Sequence, residues 1–99
     1  MNYQMKQMIV DSILKVINNS PIKINNNSNV TKDKFDIWVN YALSMLNIFN
    51  DNNSILMEIN ITKNKIISIT SMNSDDYLNK TLQINQVLLD LANKIFYNF

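Results

Sequence analysis

The chain has 99 residues, enough for one small domain with a single core, and 46% of them are apolar, so it reads as globular despite Asn-rich stretches. It contains no Gly, Cys or His, and all nine of its cationic residues are Lys. These absences exclude glycine-rich phosphate loops, thiolate or imidazole metal sites, His-based catalytic triads and guanidinium clamps, and a net charge of +1 argues against a strong electrostatic footprint for nucleic acid.

The first segment predicts a helix over residues 2–18. Met5, Met8, Ile9, Ser12, Ile13, Val16 and Ile17 follow the spacing of one helical face, and Gln4, Gln7, Asp11, Lys15 and Asn18 form the opposite polar row. Asn18–Asn19–Ser20–Pro21 ends it, with Asn expected as a left-handed cap in a chain without Gly. A polar connection follows over residues 20–31, in which Ile22–Lys23–Ile24 has the alternation of a very short strand. The second helix is predicted from Thr31 to Phe49. Thr31 is the N-cap, Asp33 lies in the first turn, and Val30 faces Phe35 as a hydrophobic staple. Its polar row is narrow (Asp33, Asp36, Asn40, Ser44, Asn47), and nearly everything else on it is apolar.

The period then changes from 3.6 to 2. Ile55, Met57, Ile59 and Ile61 alternate with Leu56, Glu58, Asn60 and Thr62, Lys63–Asn64 fits a two-residue turn, and residues 65–71 return as a second strand. The last helix is capped by Asn73 or Ser74, with Asp76 as capping-box partner and Met72 against Tyr77 as staple, and runs to about Tyr97. On its apolar side Asn85 sits between Leu82 and Leu89, either as a polar device that fixes register or as the boundary of the core.

The expected fold is therefore a single α+β domain spanning residues 1–99, with three helices and a two-stranded antiparallel hairpin in the order α-(β)-α-β-β-α. That order is similar to a winged helix whose middle helix is missing or compressed, a match of topology without a residue motif. Each helix carries more apolar surface than a surface helix needs, and a lone hairpin is marginal unless covered. Both features imply self-association through the hairpin edge or the second helix, and a homodimer is expected. Trp38, Tyr41 and Met45 lie on one side of the second helix at i, i+3 and i+7 and are the candidate partner or dimer contacts. Lys63 and Lys65 flank the hairpin tip and are the candidate nucleic-acid contacts. The carboxylates Asp33, Asp36, Asp75 and Asp76 stand where helix dipoles and caps want them, so no metal, cofactor or catalytic role is assigned to them. Glu58 is expected to point outward from the sheet.

Function is read as non-enzymatic binding through protein–protein contacts, in the manner of an inhibitor or adaptor. The alternative is a winged-helix-like DNA-binding accessory protein using its lysine-tipped hairpin. The bias toward Asn, Ile and Lys is what AT-rich codons produce, consistent with a phage, plasmid or other mobile element. No stretch approaches the roughly 18 apolar residues of a membrane span, and the N-terminus lacks the unbroken apolar run of a signal peptide. A cytoplasmic location is expected.

Overall fold

Four helices account for most of the described residues, 1–22 and 29–99 of the computed structural model. They are α1 (Tyr3–Asn18), α2 (Lys32–Ile48), α3 (Leu56–Thr70) and α4 (Tyr77–Asn98). No strand occurs among these residues. The expected α+β class, the hairpin and the winged-helix likeness are all overturned, because residues 56–70 form α3. The short strand expected at Ile22–Ile24 falls mostly outside the described residues, with Lys23 and Ile24 among those not described.

The physical reason lies in which isoleucines find a core. Ile55, Ile59, Thr62, Ile66 and Ile69 are spaced 4, 3, 4 and 3, so a helix brings them to one face; the first four are buried and Ile69 is half-buried. The period-2 pattern would instead have grouped Met57 and Ile61 with Ile55 and Ile59, yet Met57 is 72% exposed and Ile61 41%. Ile disfavours helix by only a few tenths of a kcal/mol. Burying one fully is worth about 1.5–3 kcal/mol. Packing therefore overrides local preference, and no Gly or Pro interrupts the segment. Lys63–Asn64, expected as the turn, sits in the middle of α3.

Start signals for α1, α2 and α4 come from side-chain oxygens. Asn2 Oδ1 accepts from the Met5 amide at 2.8 Å, and Thr31 Oγ1 accepts from the Lys34 amide at 3.3 Å. The cap of α4 is Asp76, which accepts from the Asn79 amide at 3.0 Å, rather than Asn73 or Ser74. Ser74 instead turns the chain toward that cap by accepting from the Asp76 amide at 3.1 Å.

Helix ends are managed differently. The expected left-handed Asn cap does not occur: Asn19 closes α1 at φ −100°, Phe49 closes α2 at −96° and Ser71 closes α3 at −83°. Carbonyls left over at a helix C-terminus still need donors, and here other side chains provide them. Asn19 Nδ2 donates to the Lys15 carbonyl at 2.7 Å, and the Trp38 indole reaches from α2 to the Val16 carbonyl at 2.9 Å. At the end of α3, Lys80 of α4 donates to the carbonyls of Met72 (2.8 Å) and Thr70 (3.3 Å). Lys80 is buried, and its ammonium also lies 5.3 Å from the centroid of the Tyr77 ring, which in turn packs on Phe35.

The longest helix, α4, packs along α1 and α3 on its two flanks; α2 touches all three, and α1 and α3 do not meet. Ser20, just past α1, meets Asn85 in the first half of α4 (Oγ to Nδ2, 3.3 Å), so α1 and α4 run antiparallel. The core between them contains Ile9, Ile13 and Val16 of α1, Phe35, Ala42 and Leu46 of α2, Ile59 and Ile66 of α3, and Ile84, Leu88 and Ile95 of α4. No helix among the described residues is long and apolar enough to cross a membrane.

Candidate functional site

Helices α1 and α2 lie side by side, and the residues that meet across their seam fix the geometry. Val16 meets Trp38, Ser12 and Lys15 line an opening with Tyr41, Ser44, Met45 and Ile48, and Met1, Met5 and Met8 line another with Ile48 and Phe49. Rising residue numbers on one helix meet falling numbers on the other, so the pair is antiparallel. Its Trp38 end is closed. Its Met8–Ile48 end is an open groove of about 620 Å³, floored by Phe49 and bounded by the connection 51–54.

The rim of this groove is apolar and accessible. Met8 is 52% exposed and Ile48 72%, with Met1 and Met5 also exposed. Methionine side chains are unbranched and polarizable, which lets a groove adapt to the surface placed in it. Its polar lining comes from Asn2 and from Asp51, Asn52, Asn53 and Ser54 of the connection, and a second, smaller opening lies further along the seam. Ser12 and Ser44 lie along the seam, Lys15 lies toward its closed end, and Asp51 lies at the open end. The groove therefore has an apolar floor and a negative charge at its open end, and the neighbouring opening along the same seam carries the positive charge of Lys15.

The three expected partner contacts on α2 do not share one environment. Trp38 and Met45 are buried within the chain, and Tyr41 alone of the three is exposed, beside the smaller opening that adjoins the groove at Ile48. The 3.6 period explains the division. Positions 38, 42 and 45 turn inward, whereas 37, 41, 44 and 48 form the outer row.

The hairpin-tip premise for Lys63 and Lys65 does not hold. Both lie within α3, two residues apart and hence on different faces, Lys63 half-buried and Lys65 exposed. Lys65 borders a crevice between α3 and α4 that also holds Glu58, Asp90 and Lys94. Glu58, expected to face solvent from a sheet, pairs with Lys94 at 3.0 Å with its side chain only 18% exposed. The acidic residues at helix starts act locally: Asp36 pairs with Lys32 at 2.6 Å, and Asp76 caps α4. The hydrogen bond and then the charge of Asp36 raise the Lys32 ammonium above its usual range. Among the described residues no three acidic side chains converge in a way that could hold a metal ion.

Sequence reasoning missed Met1, Met5, Met8 and Ile48 as surface features, assigning Met5 and Met8 to the inner face of the first helix. A signal was present: three of the six methionines fall within the first eight residues. Compared with protein-family models, curated proteins and solved structures, the chain matches none.

Proposed function

We propose that this chain is a non-enzymatic protein-binding module whose α1–α2 groove takes an amphipathic helix from a partner protein, in the manner of an adaptor or inhibitor. The observation that carries this reading is the Met-rich, apolar and accessible rim formed by Met1, Met5, Met8 and Ile48 over the Phe49 floor. Helix-in-groove recognition uses such surfaces, with partner anchors at i, i+3 or i+4, and i+7 seated between two helices. Charge selects the direction of the bound helix. A partner helix with an acidic residue near Lys15 and a basic one near Asp51 is favoured over the reverse. The reading needs no cofactor, and a cysteine-free chain suits the reducing cytosol.

The methionines supply the test. Methyl NMR of the chain, titrated with a synthetic amphipathic helix carrying Leu at those intervals, Glu at one end and Lys at the other, should shift the Met5, Met8 and Ile48 methyls. Met57 and Met72, exposed elsewhere, serve as internal controls. Shifts confined to Met57 or Met72, or none at all at millimolar peptide, would overturn the proposal. Ile48→Lys should abolish the shifts while leaving the helical circular dichroism unchanged.

A further inference from the structure

On the side of the molecule away from α2 and α3, no other described element covers the face made by α1 and α4. Helix α2 abuts the α1 row Met8–Ser12–Lys15, and α3 abuts the α4 row Val87–Leu91–Lys94. Both rows lie on the flank opposite to Leu14 of α1 and to Leu82, Leu89 and Phe96 of α4. Those residues remain exposed, Leu82 at 52%, Leu89 and Phe96 at 39% each and Leu14 at 37%.

Three properties of this face determine what fits it. First, Leu82, Leu89 and Phe96 recur at intervals of seven, so the row drifts by about 20° per interval around an ideal helix, the slope that a shallow left-handed helix crossing follows. Second, the row is symmetric about Leu89. Turning a second α4 antiparallel about an axis at Leu89 places Leu89 against its own counterpart and each Leu82 against the other copy's Phe96. Third, all three charged residues of α4 lie elsewhere: Lys80 is buried, and Asp90 and Lys94 border α3. An uncharged centre with neutral amides such as Gln86 and Asn93 at its edge is what the middle of a self-associating patch requires. Asn85 takes no part in this, because its amide is turned inward to Ser20 of the same chain.

We propose that a second copy of this chain docks here, α4 antiparallel to α4 about a two-fold axis at Leu89, with Leu14 on the flank. The hairpin edge does not exist and Trp38 and Met45 are turned inward, so the self-contact belongs to α4 instead. A 22-residue helix is about 33 Å long and 10–12 Å wide. Two such strips with their α1 flanks bury on the order of 1,000 Å² in total, the low end for a specific interface. The dimer is therefore concentration-dependent rather than obligate, and it leaves both α1–α2 grooves open, one on each copy.

Sedimentation equilibrium of the intact chain over about 1–200 µM, the range that brackets a micromolar contact, should show a monomer–dimer equilibrium. Leu89→Glu, which brings two like charges together on the axis, should weaken it at least tenfold while the thermal melt of the monomer stays unchanged. Leu82→Lys and Phe96→Glu should each weaken it, and the double variant should recover association at low salt, because only the antiparallel register sets the two new charges face to face. A wild-type chain that stays monomeric throughout, a Leu89→Glu dimer as tight as wild type, or a double variant no better than the singles would each overturn the proposal. Ile48→Lys should leave the dimer intact, so failure of the groove reading and failure of this one are separable. If Ile48→Lys alone dissociated the dimer, the self-contact would be the groove and the α4 assignment would be wrong.

Discussion

The two ends of the α1–α2 seam use the same pair of helices and do opposite things. At the Trp38 end a rigid aromatic ring is buried, and its one polar atom is spent on the Val16 carbonyl at the end of α1. At the Met8–Ile48 end the side chains are unbranched or outward-facing, and the helices leave an open groove. The difference teaches that the closed end sets the angle of the two helices and the open end can then remain unfilled. Buried contacts are concentrated at the closed end, and the groove lies where little stability is at stake.

The strongest way to break this comparison is Trp38→Ala. It opens a cavity in the closed end and should cost about 3–5 kcal/mol, a large part of the 5–15 kcal/mol typical of a whole domain; chemical denaturation measures it, and a loss below about 1 kcal/mol would mean that this end does not anchor the seam. Lys80→Met comes next. It tests whether closure by a side chain from a neighbouring helix is general, since Lys80 closes α3 as Trp38 closes α1. Losing a charged donor to two carbonyls should cost about 1–3 kcal/mol, visible as a lower denaturation midpoint with unchanged slope. Trp38→Phe keeps the ring and removes only the N–H, so about 1–2 kcal/mol is expected; that the Val16 carbonyl also accepts from the Asn19 amide limits the loss.

At the open end Ile48→Lys should change stability by no more than about 0.5 kcal/mol, because the side chain is already mostly in water, while peptide-induced methyl shifts disappear. A large destabilisation there would erase the contrast between the two ends. The smallest effect belongs to the exposed Lys32–Asp36 pair. Folding raises the Lys32 pKa, so its contribution is fully present below the ordinary lysine value of 10.5 and is lost as pH rises through the raised folded value. Because the pair is solvent-exposed, Lys32→Ala should leave the melting curve at pH 7 unchanged within error.

Legibility of the fold varied with how many signals agreed. Helices α1 and α2 carried a clear 3.6 period, α2 with the Thr31 N-cap as well, and their ranges follow closely from the sequence. The α3 segment has no side-chain cap hydrogen bond at Ile55 and a surplus of β-branched residues, so two periodicities fit it equally at the level of composition. The 4, 3, 4, 3 series from Ile55 to Ile69 was present in the sequence, but choosing it requires knowing that α4 and α2 offer one apolar face rather than a sheet to pair with. The groove was less legible still. Met5 and Met8 have the spacing of core residues, and only the place where α2 ends decides that they border an opening instead.

What the sequence determined by itself is the set of chemistries withheld from the chain, the approximate positions of three helices and the N-cap of one of them, Thr31. With no Gly, the sequence pointed to Asn as a left-handed cap, and the ends of α1, α2 and α3 do not take it. How they do end was decided by the tertiary structure, because Trp38 and Lys80 reach their carbonyls only after α2 packs on α1 and α4 on α3. The same holds for the helical state of residues 56–70 and for which apolar side chains stay in water. Local preferences there differ by tenths of a kcal/mol per residue, whereas each buried isoleucine is worth about 1.5–3 kcal/mol, so the outcome follows the core that the whole chain assembles.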